Sequence, residues 1–199
     1  MTEARAAHGS AEQHQSLGPS VGARIGNLIS FAGAIFNASP GRSGEGKCSL
    51  KTHSRARELV EHPTGHRPRW AYWVSPQSMD GACGFQQVSL GMASSPNSRR
   101  HLGNAVTLLT PRASAATYQL YQRDAVLVGI WLARAHVGRS ELEQACEVGR
   151  TVLEWLPHIN SPRGLALLRR LAGELRTRKA NAHVHEFSTE LDRKLQLVT

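Results

Sequence analysis

The chain has 199 residues and a formal net charge of +9, with a pI near 10.3. This length suits one domain, or one domain with a tail, and the basic balance raises the question of nucleic-acid binding. Because the basic residues are scattered along the chain, charge alone predicts only non-specific attraction to nucleic acid. The three cysteines Cys48, Cys83 and Cys146 are far apart and odd in number. This pattern excludes a disulfide framework and favours a reducing, cytoplasmic setting in which Cys146 is a small buried residue.

Residues 1–66 show no sustained hydrophobic periodicity. Residues 1–20 are rich in Ala, Ser, Gly, Gln and His, a composition typical of disorder. The apolar run at 21–37 is interrupted by Arg24, Asn27 and glycines. It is therefore poorer and shorter than the roughly 20 apolar residues of a membrane span, and it lacks the features of a secretory signal. We predict a mostly disordered segment and no membrane partner.

The segment Gly41–Cys48 reads GRSGEGKC, which approximates a phosphate-binding loop. Gly41, Gly46 and Lys47 fit that motif. Cys48 occupies the place of the hydroxyl that binds magnesium, and a soft thiol is a poor ligand for this hard cation. No β-branched run downstream ends in a carboxylate that could hold the metal. A flexible linker is the preferred interpretation, and nucleotide binding is the third alternative for the function.

The helical part is predicted to begin near residue 67. A short helix from Arg55 to Glu61 precedes it and ends before Pro63. The segment at 67–73 reads RPRWAYW, and its three aromatic residues either stack on bases or form an apolar anchor at the edge of the domain, which we prefer. Apolar residues then recur at helical spacing. Apart from a central pair, the predicted helices span about residues 75–91, 98–110, 161–175 and 184–195.

The central pair of helices lies between Gly129 and Pro157. The turn at 138–140 separates them, and Ser140 with Glu143 forms a capping-box signature for the second helix. The pattern predicts an αα-hairpin. Its expected packing positions, which include two alanines small enough for a close approach of the helix axes, are Leu132, Ala133, Leu142, Ala145, Val152 and Pro157.

This hairpin resembles the tetratricopeptide repeat (TPR), in which a large-small pair, a tight turn, a bulky residue and a small residue recur at fixed places. Those places hold Leu132, Ala133, His136, Arg139, Ser140, Leu142, Ala145, Val152 and Pro157. The chain departs from the repeat at Gly149, where the repeat usually carries an aromatic residue, and this predicts weaker packing within the hairpin. Cys83-Gly84 and Leu90-Gly91 match a second, degenerate repeat.

Over residues 67–195, the order of these segments resembles the C-terminal half of certain bacterial transcription regulators. Those proteins carry a helix-turn-helix of the xenobiotic-response-element (Cro/repressor) class, followed by TPR-like repeats. The resemblance is strongest at 143–146, Glu-Gln-Ala-Cys, and at 161–163, Ser-Pro-Arg. Residues 1–66 do not resemble the DNA-binding half. The resemblance thus implies the sensor half of such a regulator without its DNA-binding half.

The expected fold is all-α: a degenerate TPR-like stack of antiparallel helical hairpins over residues 67–199, closed by a terminal helix. The resemblance implies a cytoplasmic regulatory role in which the repeats bind a protein, a peptide or a second copy of the chain, without a cofactor. Contact with nucleic acid would be non-specific or through the partner. In a groove lined by the first helices of the hairpins, Phe85 and Arg134 are the expected contacts.

The main alternative is a DNA-binding helix-turn-helix within residues 140–157. Ala145 followed by Gly149 suits the first helix and turn of that motif, and Arg150 could then contact phosphates. Arg150, however, occupies a position that is normally apolar, and the recognition helix would be too short before Pro157. We therefore prefer the repeat.

Catalysis finds little support in the sequence, and we assign no catalytic or metal-binding residue. His183 and His185 are too few for a metal site and are expected to be solvated. Cys146 with His136 has the composition of a nucleophile and base, but nothing in the sequence orients the histidine. We therefore predict that the protein is not an enzyme.

Overall fold

The structure is a computed structural model, and it describes residues 53–54, 57–58, 60–61, 74–93, 96–114, 122–156, 161–178 and 180–197. These residues are almost entirely helical and include no strand, so the predicted all-α class is confirmed for them. The six main helices are α1 (Pro76–Met92), α2 (Ser98–Leu109), α3 (Gln122–Arg139), α4 (Leu142–Trp155), α5 (Pro162–Arg176) and α6 (Ala182–Leu197). A 3₁₀ turn, Thr110–Arg112, follows α2.

Several predictions concern residues outside this described part. They are the disorder of most of residues 1–66, the loop Gly41–Cys48, the aromatic cluster at 67–73 and the packing role of Pro157. Between 53 and 61, the residues that the structure describes are helical, in agreement with the short helix predicted there.

Local capping signals begin two of the helices at the predicted residues. At the start of α1, the Ser75 hydroxyl accepts a hydrogen bond from the Ser78 amide at 3.1 Å, and the Ser78 hydroxyl accepts one from the Ser75 amide at 2.8 Å. At the start of α5, the Ser161 hydroxyl accepts a hydrogen bond from the Gly164 amide at 3.2 Å. A proline follows each cap, where its missing N–H leaves no donor unsatisfied.

The turn between α3 and α4 differs from the prediction. Ser140 does not cap α4: Glu141 is the residue before that helix, and no side chain makes a capping hydrogen bond there. Instead Ser140 has a φ of 65°. Its amide donates to the Val137 carbonyl at 3.1 Å, and the Glu141 amide donates to the His136 carbonyl at 2.9 Å. This pair of bonds ends α3 as a Schellman motif, so the C-terminus of the first helix determines the conformation of Ser140.

The six helices form three consecutive pairs, which we call hairpins 1 (α1 and α2), 2 (α3 and α4) and 3 (α5 and α6). Helix α3 is the centre of the arrangement, because it contacts α1, α2, α4 and α5. Helix α6 contacts α5 and also returns to α4. Ten of the residues in α3 are buried, including its only buried charge, Arg134. Helix α3 is therefore apolar on opposite sides and joins the hairpins into one packed unit.

Two hydrophobic clusters lie on either side of α3. The first is formed with α4, α5 and α6 and includes Ala133, Ala145 and Val152, with Leu142 partly buried at its edge. The second is formed with α1 and α2 and includes Leu132. Leu132, Ala133 and Ala145 are all buried, with at most 3% exposed. Leu132 and Ala133 belong to different clusters because neighbouring residues point about 100° apart on a helix.

Gly149 lies where helix α4 meets the terminal helix α6. The fully buried ring of Phe187 on α6 lies directly against it. A Cβ atom on residue 149 would be 2.9 Å from Cε1 and Cε2 of that ring, too close for any real side chain. An aromatic side chain of the terminal helix thus fills the space beside residue 149, and glycine is what makes room for it.

None of the helices in the described ranges is both long enough and apolar enough to cross a membrane.

Candidate functional site: a cleft between hairpins 1 and 2

A cleft of about 230 Å³ opens between α1 and α3, the first helices of hairpins 1 and 2. Its position is the one expected of a groove in a stack of such hairpins. Helix α1 contributes Ser78, Met79, Gly81, Ala82 and Phe85; helix α3 contributes Asp124, Leu127, Val128 and Trp131; and two arginines, Arg112 and Arg163, complete the lining. The cleft therefore combines an apolar wall with a small set of charges.

Aromatic rings form one wall of the cleft. The rings of Phe85 and Trp131 stack with their centroids 5.5 Å apart and an interplanar angle of 27°. Both residues are only partly buried, so both retain surface that a ligand could cover. Phe85 thus lies where the sequence predicted a contact. Trp131 was missed, although its position among buried residues of α3 is the signal that could have found it.

Arg112 lines the cleft with a guanidinium group that is only partly hydrogen-bonded. It ends the 3₁₀ turn after α2, and its guanidinium group lies beside Gly81 of α1. Its Nε atom is buried and has no hydrogen-bond partner in the described part of the chain. Burial lowers the pKa of this guanidinium, and the carboxylates of Asp124 and Asp80 oppose the shift only in part. The sequence pattern marked this place only as the end of a helix.

The two carboxylates near Arg112, on Asp80 and Asp124, differ in their contacts within the protein. Asp80 is already engaged: His53 Nε2 lies 2.8 Å from its Oδ1, and Arg57 donates to its Oδ2 at 2.9 Å. These contacts attach the helical residues between 53 and 61 to α1. Asp124, in the first turn of α3, is exposed and lines the cleft together with the exposed Arg163.

Arg134, the second expected contact of the groove, is buried and does not line the cleft. Its side chain is 1% exposed, and it pairs with Glu174 of α5. The Arg134 Nε atom donates to both Glu174 carboxylate oxygens at 3.0 and 3.1 Å, and Nη2 donates to one of them at 2.7 Å. The guanidinium also lies 4.6 Å from the centroid of the Trp131 ring. Arg134 therefore joins hairpins 2 and 3 and supports the aromatic wall from within.

Cys146 and His136, considered above as a nucleophile and its base, do not have the environments that this role needs. Unlike the prediction, His136 is oriented: its Nδ1 lies 2.7 Å from Oε2 of Glu141. A hydrogen bond from Arg139 is the main reason that the pKa of Glu141 is lowered. Cys146 is fully buried in the larger hydrophobic cluster, and burial raises the pKa of its thiol. The thiol therefore stays protonated at neutral pH, which makes it a poor nucleophile.

The residues of the DNA-binding alternative are placed differently from what that motif needs. Helix α4 continues without a break through Gly149, where the motif requires a turn. Arg150 Nη2 donates to Glu186 of α6 at 3.1 Å, so its charge is already paired. His183 and His185 are exposed, as predicted. No three metal-ligating side chains gather anywhere in the residues that the structure describes.

No known protein family matches the chain, and no curated protein or solved structure is significantly similar to it. The described residues define a class: an all-α protein of packed helical hairpins with a small aromatic and charged cleft between the first two. The resemblance to TPR-containing regulators stays a prediction.

Proposed function

We propose that this chain is the protein- or peptide-recognition module of a bacterial transcription regulator, and that a partner segment docks in the cleft between hairpins 1 and 2. The observation that carries the proposal is the composition of that cleft: the stacked Phe85–Trp131 pair beside the arginine Arg112. Tryptophan and arginine are enriched among the residues that contribute most to binding at protein interfaces. Their occurrence in one concave site is typical of a recognition surface.

The rigidity of the surroundings supports the same proposal. Both cleft helices belong to the packed unit around α3, and the Arg134–Glu174 pair holds Trp131 from behind. A site on rigid helices loses less conformational entropy on binding than one on loops. The role in transcription rests on the sequence resemblance alone, and the module would act in the cytoplasm through its partner.

Site-specific photo-crosslinking tests this proposal. A photoreactive phenylalanine replaces either Leu127, which lines the cleft, or Gln144, which is exposed on α4. In cells of the source organism, we expect one discrete protein adduct from position 127 and none from position 144. The adduct should disappear when Trp131 is also replaced by alanine, because the aromatic wall is removed. Equal adducts from both positions, or an adduct insensitive to Trp131→Ala, would contradict docking in the cleft.

A further inference from the structure

One arginine in the lining of the cleft has a buried hydrogen-bond donor without an acceptor. The Nε–H group of Arg112 is buried without a hydrogen-bond partner, and the guanidinium is held against α1 beside Gly81. Burying such a donor without an acceptor is unfavourable. Unsatisfied buried polar groups are few in folded proteins, and a bound water or ion is one explanation for such a group. A ligand with hydrogen-bond acceptors and a negative charge would satisfy this guanidinium.

The charges around the cleft limit the charge of that ligand. Two guanidinium groups, on Arg112 and Arg163, line the cleft together with one carboxylate, on Asp124. The Arg112 guanidinium, whose Nε lacks a hydrogen-bond partner, therefore gives the cleft a place for an anionic group. A planar carboxylate also fits the two parallel N–H groups of a guanidinium.

The apolar walls and the volume of the cleft limit the character and the size of the rest of the ligand. Met79, Leu127 and the Phe85–Trp131 pair provide apolar and aromatic surface next to the charged end. The volume of about 230 Å³ is below the roughly 300–1,000 Å³ of sites that hold drug-sized molecules. The ligand is thus compact, with a carboxylate at one end and an apolar or aromatic body at the other.

We propose that this cleft is a carboxylate-binding site, in which Arg112 donates to the carboxylate of a compact aromatic acid and the Phe85–Trp131 pair contacts its ring. The same chemical group could arrive on a free small molecule or on an aspartate side chain next to an aromatic residue in a partner segment. The second source deepens the proposed function and rests on it. The first source is independent of it.

Isothermal titration of the 199-residue chain distinguishes these sources. The probes are phenylacetate, its neutral isostere phenylacetamide, and two blocked peptides, acetyl-Gly-Asp-Phe-Gly-amide and its Asn counterpart. The carboxylate should strengthen binding by about tenfold or more over the matched amide. Binding of phenylacetate alone supports the free acid as the source, and binding of the Asp peptide alone supports the partner segment. Equal binding of acid and amide in both pairs, or no binding of either acid, overturns the inference.

Two substitutions identify the residues. Arg112→Met keeps an unbranched side chain and removes the unsatisfied guanidinium, so the chain should stay folded with an unchanged or higher urea midpoint while the preference for the carboxylate is lost. Asp124→Asn removes from the cleft a negative charge that repels the acid. This change should tighten binding of the acid severalfold without affecting the amide. An unchanged preference in Arg112→Met, or weaker acid binding in Asp124→Asn, would count against the site. Peptides that bind without regard to Arg112 would overturn this inference while leaving the proposed function intact.

Discussion

Replacing Phe187 with alanine is expected to lower the free energy of unfolding by about 3–5 kcal/mol, the usual range for removing a buried aromatic side chain. The ring is fully buried in the larger hydrophobic cluster and fills the space beside Gly149. Its removal leaves a cavity between α4 and α6, and the rigid helices around it cannot collapse fully into that space. Urea denaturation followed by circular dichroism measures the loss.

The control for this substitution is Phe85→Ala. Phe85 is only partly buried and lies at the cleft surface, so its removal should lower the free energy of unfolding by less than half as much. If Phe187→Ala changed the stability by less than about 1 kcal/mol, the ring could not be buried between the helices as described.

Replacing Glu174 with alanine is expected to lower the free energy of unfolding by about 3–5 kcal/mol, because it leaves a buried guanidinium without its partner. The side chain of Arg134 is 1% exposed, so its guanidinium group would stay largely desolvated after the partner is removed. Arg134→Met should have a smaller effect. Glu174 retains 17% exposure, and Arg170 Nε lies 3.5 Å from its Oε1, so this carboxylate keeps water and a counter-charge.

The Arg150–Glu186 pair is the matched control, since it also joins two helices but lies at the surface. Glu186 is 74% exposed, and Glu186→Ala should change the free energy of unfolding by less than about 1 kcal/mol, as usual for exposed ion pairs. Denaturation of the three variants in the same buffer makes the comparison. If Glu174→Ala were as mild as Glu186→Ala, Arg134 would have to be solvated.

The helices could be predicted from the sequence because their signals are local. Helical spacing of apolar residues and the Ser-Pro cap signals at Ser75 and Ser161 need no knowledge of the rest of the fold. Ser140 shows the limit of such reasoning: a capping-box signature and a helix C-terminus compete for one residue, and only the hydrogen bonds at the turn reveal that the C-terminus prevails.

The packing could be predicted only in part, because it depends on residues distant in sequence. Burial of Leu132 and Ala133 follows from periodicity, but their distribution between two clusters depends on α3 being covered from both sides. The burial of Arg134 depends on Glu174 of hairpin 3. At the cleft, the position of Phe85 within its helix was enough to predict it as a contact. Arg112 could not be predicted, because it belongs to the site only through the 3₁₀ turn that brings it beside α1.

A double-mutant cycle between Gly149 and Phe187 tests most directly whether the terminal helix closes the stack through this contact. In the wild-type chain, Gly149→Ala should be destabilising by about 1–3 kcal/mol because the new methyl group overlaps the ring. In the Phe187→Ala chain, the same change should be neutral or stabilising by up to about 1 kcal/mol, because the methyl enters the cavity and alanine favours a helix. Gly173→Ala, with open space at its Cβ on α5, supplies the reference for helix propensity. We expect a coupling free energy above about 1.5 kcal/mol, and a coupling below about 0.5 kcal/mol, the value for independent sites, would contradict the packing of α6 on α4.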